Sequence, residues 1–116
     1  MEGVVVAGND DHLTQADVEG ALRDLPDWRY QDGLVTVYKT PTAALALALI
    51  AAIGRIAEEQ NHHPDLDWRY NRVFVRYVSH DAGGQVTQRD VAAAASVSEA
   101  AAGIGAAAQP ERYRGA

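Results

Sequence analysis

The chain has 116 residues, a formal charge of −6 and 22 alanines, so its length suits one domain and its supply of larger apolar side chains is thin. The acidic balance argues against an electrostatic grip on nucleic acid, and the absence of cysteine excludes disulfides, thiolate nucleophiles, iron–sulfur clusters and Cys-ligated zinc. The longest apolar stretch, Ala43 to Ile53, falls short of the roughly 20 residues of a membrane span, and Met1 to Val6 lacks the basic region of a signal peptide; the expectation is a soluble, cytoplasmic protein with no membrane or nucleic-acid partner.

Residues 1–12 carry little pattern and read as a flexible lead-in, with His12 a solvated imidazole. The domain proper is expected over residues 13–106. At Leu13-Thr14-Gln15-Ala16-Asp17-Val18 the helix-start signals coincide: Thr14 as N-cap, Asp17 three residues on, and Leu13 with Val18 spaced as a hydrophobic staple. Val18, Leu22 and Leu25 then share a face, and Pro26 stops the helix. Asp32-Gly33 lies between two β-prone runs, which predicts a hairpin.

Thr40-Pro41 predicts the start of a second helix, with a cap followed by proline. It is apolar nearly all round at first, as expected of a helix buried against a sheet or a neighbouring subunit, and Pro64 ends it. Trp68 to Ser79 reads as one long strand with partly apolar faces, one for helices and one for a second subunit. A turn at Asp81-Ala82-Gly83-Gly84 leads to Thr87-Gln88-Arg89-Asp90, which caps a third helix reaching about Ile104. Residues 107–116 read as a frayed tail. The order α-β-β-α-β-α argues an α+β fold, with the helices on one face of an antiparallel sheet.

Three of the four histidines, His62, His63 and His80, gather around one helix end and one strand end. Glu58 and His62 are four residues apart, neighbours on one helix face, which lets the carboxylate fix the imidazole tautomer. Pro64 disfavours helical geometry at His63, which should swing its ring away from that of His62. His80 falls at a strand end, where rigid scaffolds commonly place reactive groups. Each feature also has a plainer reading: a solvated helix end for His62 and His63, polar surface for His80, helix capping for Asp90.

Taken together, Glu58-x3-His62-His63-Pro64-x5-Tyr70-x9-His80-x9-Asp90 is similar to the signature of the pterin-4a-carbinolamine dehydratases. The flanking Gln60-Asn61, Tyr70-Asn71-Arg72-Val73 and Ser79-His80-Asp81-Ala82-Gly83-Gly84 resemble that family too, as does Leu22-x2-Leu25-x2-Trp28. The resemblance implies a four-stranded antiparallel sheet with three helices packed on one face, in homodimers that can pair into homotetramers. It also implies a lyase that dehydrates a 4a-hydroxytetrahydropterin to the quinonoid dihydropterin, recycling the tetrahydropterin of aromatic amino-acid hydroxylases, with neither cofactor nor metal. On that resemblance His62, partnered by Glu58, and His80 would be the acid/base pair, and His63 would position the pterin or its leaving hydroxyl. Ser79 and the backbone beside it would hold the pterin amide edge, Asp90 would support the site, and Trp28 and Asn61 would contribute to binding.

The chain departs from the family in having Ser79 where threonine is common and a loop one residue longer at Gly84 to Thr87. Its second helix also carries Ala and Leu in place of phenylalanines. Two alternatives stand beside the enzyme: a histidine-based metal site, against which adjacent histidines are an awkward chelate, and a non-catalytic pterin-binding or protein-interaction module of the same fold.

Overall fold

A computed structural model of the chain describes residues 12–114. Its elements run α1 (Gln15–Arg23), β1 (Arg29–Tyr30), β2 (Leu34–Lys39), α2 (Ala43–Gln60), β3 (Asp65–Arg69), β4 (Arg72–Tyr77), α3 (Gln88–Ile104) and β5 (Ala107–Ala108), with single 3₁₀ turns at His80–Ala82 and Pro110–Arg112. The expected lead-in lies outside the described residues apart from His12, whose backbone bridges to Thr87.

The sheet is antiparallel in the order β1-β2-β4-β3, and β5 pairs with β2. β1 lies beside Leu34 and Val35 while β5 lies beside Tyr38 and Lys39, so both share one edge of β2 and the sheet stays four strands across. In the register of β2 against β4, Leu34, Thr36 and Tyr38 stand opposite Tyr77, Val75 and Val73. These residues form the floor on which α2 and α3 pack, and the core closes with Ala46, Leu49 and Ile53 of α2, Ala93, Ala94 and Val97 of α3 and Val18 of α1. The three helices thus share one face of an α+β sheet. Alanines at the α3 contacts let it lie close to α2, which turns the alanine-rich composition into helix–helix packing.

Local signals predict their elements well. Thr14 and Thr87 each cap a helix within a complete capping box, with Asp17 and Asp90 as reciprocal partners. Asp32 and Gly33 both take positive φ, at 53° and 125°. Gly33 has a second reason to be glycine: a Cβ there would lie 2.7 Å from Val78 Cγ1 and 2.9 Å from the Tyr77 carbonyl.

Three expectations are corrected. The second helix is capped by Thr42, whose side chain accepts from the Leu45 amide. Thr40 is buried and bonded to Asn71 instead, its amide to the Asn71 carbonyl at 2.8 Å and its own carbonyl accepting from Asn71 Nδ2 at 2.8 Å. That tie also explains why the expected single strand is a hairpin. β3 and β4 meet at a two-residue turn, Tyr70-Asn71, where Tyr70 takes φ +54° and Asn71 is anchored across the sheet end. Finally, the tail is not frayed over residues 107–113. β5 extends the sheet, the Gln109 amide donates to the Val37 carbonyl, Arg29 donates to the carbonyls of Pro110 and Tyr113, and the Tyr113 ring sits 6.3 Å from that of Phe74. This strap lies over the sheet face opposite the helices, which is why β2 is buried on both sides. Among the described residues no helix is long and apolar enough to cross a membrane.

Candidate active site

The site is built where α2 ends, β4 ends and α3 begins. α2 stops at Gln60 because Asn61 turns left-handed at φ 51°. Asparagine tolerates this conformation better than most residues, and the amides of Asn61 and His62 both close back on the Ala57 carbonyl. The chain therefore leaves the helix at Asn61, three residues before the proline that the sequence marks as its stop. Asn61 serves the site through this turn.

This early exit rearranges the expected pairing. Glu58 does not meet His62: its Oε2 lies 2.6 Å from Nε2 of His63, in an exposed pair. His62 points inward, 9% exposed, with Nε2 2.5 Å from Oδ1 of Asp90. Its ring stacks on Tyr77, with centroids 5.7 Å apart and planes inclined by 18°. A ring held on one face and bonded through one nitrogen is fixed in plane and tautomer: with the proton on Nε2 facing the carboxylate, Nδ1 is the nitrogen left for exchange.

Asp90 is fully buried, and a buried carboxylate needs donors to offset its lost hydration. Beside His62 it accepts from the Thr87 amide at 2.8 Å and from Ser79 Oγ at 2.9 Å. Ser79 Oγ is in turn 2.7 Å from Thr87 Oγ1, which also accepts from the Arg89 amide. Capping and site support are thus both present in Asp90, on different oxygens. The same network occupies the Ser79 hydroxyl in a fully buried position, so the expected contact between this side chain and a ligand's amide edge is not available in this arrangement. The loop from Gly84 to Thr87 leaves Asp90 within bonding reach of His62.

His80 follows Ser79 as the first residue of the 3₁₀ turn and is exposed. The Asp90 carboxylate, spanning His62 on one oxygen and Ser79 on the other, draws the α2 exit and the His80 turn together. Asp81, next in the turn, receives both terminal nitrogens of Arg89 at 2.8 and 2.9 Å. The guanidinium holds the Asp81 carboxyl below the usual carboxylate range.

Trp28 is buried in the core. It is 4% exposed, donates Nε1 to Ser98 Oγ at 2.9 Å and packs against Tyr77 and Tyr38. It stands behind the site, as the third ring in the series His62, Tyr77, Trp28. Sequence reading missed Tyr77, which lies within the expected strand without standing out, and Thr87, whose capping role hid its link to Ser79. Burial pushes the Tyr77 phenol up to about 12, helped by the nearby Asp90 charge, and its hydroxyl has no hydrogen-bond partner among the described residues.

A shallow depression of about 680 Å³ runs beside His63, lined by Ala51, Gly54, Arg55, Glu58, Glu59 and His63; neither His62 nor His80 lines it. Among the described residues no group of three or more His, Asp or Glu side chains is arranged to hold a metal ion.

The family model described as pterin 4 alpha carbinolamine dehydratase matches residues 11–100. Relatives carrying the name "Putative pterin-4-alpha-carbinolamine dehydratase" include one from Thermomicrobium roseum, 39% identical over 77% of this chain and 96% of its own. Another, from Acidobacterium capsulatum, is 41% identical over 73% and 92%. A crystal structure from Brucella melitensis, titled transcriptional coactivator/pterin dehydratase, superposes with a TM-score of 0.73 at 30% identity, covering 78% of this chain and 98% of that one.

Proposed function

Because the chain belongs to the pterin-4-alpha-carbinolamine dehydratase family, we propose that it removes water from a 4a-hydroxytetrahydropterin and so returns the quinonoid dihydropterin to the recycling of an aromatic hydroxylase's cofactor. The reaction protonates the 4a oxygen, breaks the C–O bond with the electron pair of an adjacent ring nitrogen, and then takes the proton from that nitrogen. Water leaves, and no oxidant or reductant is consumed.

The observation that carries this reading is the buried Asp90–His62 pair. A carboxylate on Nε2 commits that nitrogen and leaves Nδ1 to exchange a proton, the arrangement by which a positioned imidazole works as general acid or base. Such help is worth on the order of 10²–10⁴-fold, enough for a dehydration that also proceeds unaided. His80, exposed on the neighbouring turn, supplies the opposing acid/base group. His63, with Glu58 on Nε2, positions the pterin or its departing hydroxyl from the outer side.

We assign the working form to a homodimer or homotetramer. β3 is an edge strand exposed along its whole length, with Leu66 and Trp68 40% and 48% exposed, and an edge whose backbone is unpaired, beside exposed apolar side chains, favours pairing with another strand.

The test follows the absorbance of a 4a-hydroxytetrahydropterin as it disappears, with and without the protein. Faster loss than in buffer, abolished in His62→Ala, is the expected result. Parent protein that leaves the buffer rate unchanged overturns the reading.

A further inference from the structure

The two histidines assigned to proton transfer come from distant stretches of chain, and the start of α3 touches both stretches through adjacent residues. Asp90 bonds the ring of His62, while Arg89 forks onto Asp81, the residue after His80, with two contacts at 2.8 and 2.9 Å. We infer that Arg89 is a positioning residue: its grip on Asp81 holds the His80 turn against the first turn of α3, so that one helix start sets the spacing of both imidazoles.

The geometry supports this in three ways. The His80–Ala82 turn is closed by its own backbone, with the Gly83 amide on the His80 carbonyl and the Ala82 and Gly84 amides on that of Ser79. These bonds shape the turn without fixing its angle to the rest of the molecule. On its N-terminal side the turn is anchored through Ser79, whose hydroxyl reaches Asp90 and Thr87. The Asp81–Arg89 fork adds a second attachment on the far side of His80, and two attachments remove the rocking that one would leave. The fork is also the planar, two-bond match between guanidinium and carboxylate, which fixes direction as well as distance; a lysine offers a point charge in its place.

Arg89 itself is well placed for this. Its amide is tied to Thr87 Oγ1 at 3.2 Å, so the helix start that carries the guanidinium is the one that carries the Asp90 cap. The inference deepens the dehydratase reading and rests on it for His80's role. The hold on the turn can be measured without any substrate.

The experiment compares the parent with Arg89→Gln, Arg89→Lys, Asp81→Asn and the double reversal Asp81→Arg/Arg89→Asp. Turnover of a 4a-hydroxytetrahydropterin is measured beside amide hydrogen exchange over residues 79–85. Arg89→Gln and Asp81→Asn are expected to lower kcat about tenfold while KM moves less than about twofold, since displacement of a catalytic group by a fraction of an ångström costs this much. Arg89→Lys recovers part of the loss and the reversal most of it. The Gly83 and Gly84 amides exchange faster in the two single charge-removing variants and regain protection in the reversal. Unchanged exchange in those variants overturns the inference, as does unchanged kcat in an active parent. A parent with no dehydratase activity whose variants still lose protection removes the functional reading while keeping the Arg89 hold on the turn.

Discussion

The Nε2 of His62 and the Oδ1 of Asp90 are 2.5 Å apart at the meeting of α2 and α3, and the residue that sequence spacing offered as the partner of His62, Glu58, is spent on His63. An inner, buried carboxylate–imidazole pair and an outer, exposed one therefore sit side by side, and they predict different responses to mutation.

Asp90→Asn keeps the size of the side chain but presents an amide where His62 needs an acceptor. The imidazole loses its fixed tautomer, and kcat is expected to fall at least about 10²-fold. Thermal stability should drop as well, by about 1–3 kcal/mol, because buried donors lose a charged acceptor. Steady-state kinetics beside a denaturant melt checks both, and a variant that turns over like the parent removes Asp90 from the mechanism.

Glu58→Gln acts on an exposed pair, so its stability cost should stay under about 1 kcal/mol. If His63 positions the ligand, KM rises while kcat holds within a few-fold. A collapse of kcat comparable to that of Asp90→Asn would restore Glu58 as the group that serves His62.

Alkaline pH should unfold the protein from the core outward. Burial pushes the phenols of both Tyr77 and Tyr38 up, that of Tyr77 to about 12. Each raised group contributes stability that is fully present below about pH 10, the unfolded phenol's value, and is lost as pH rises toward its folded value. The slope approaches about 1.4 kcal/mol per pH unit for each phenol in that window. Tyr77→Phe removes one of the two and a buried hydroxyl that has no partner among the described residues, so its stability should match or exceed the parent's and decline less steeply above pH 10. Urea melts at several pH values measure this; equal slopes in the two proteins would contradict it.

Gly33→Ala should cost about 1–3 kcal/mol, from a backbone angle that side chains avoid and from a Cβ driven into the Tyr77 carbonyl and the Val78 methyl. Since Tyr77 lies under His62, the turnover of Gly33→Ala is expected to fall along with its melting temperature. A variant as stable as the parent would show that the hairpin can shift to make room.

What could be read from the sequence was what neighbouring residues decide among themselves. Thr14 with Asp17 and Thr87 with Asp90 announce helix starts because both partners of each bond lie within one turn, and Asp32-Gly33 announces a hairpin because its backbone angles are its own. The errors lie where a distant residue won. Thr40 looked like a cap until Asn71, across the sheet, claimed it. Tyr70-Asn71 carries no glycine, so the turn that divides the expected strand was hidden. Ser79 and Trp28 looked available for a ligand, yet Asp90 and Ser98 had already engaged their polar atoms. The histidine cluster itself was legible through the family signature; which carboxylate serves which ring depended on a single left-handed residue, Asn61.

The strap over the outer face has a consequence for how the molecule is made. β2 emerges early in synthesis, but its partners at Tyr38 and Lys39 are Ala108 and Ala107, translated almost seventy residues later. Until they arrive, Val35 and Val37, whose side chains face away from the helices, lack their cover, and a nascent chain halted after α3 would present a sticky sheet surface to whatever chaperone waits at the ribosome.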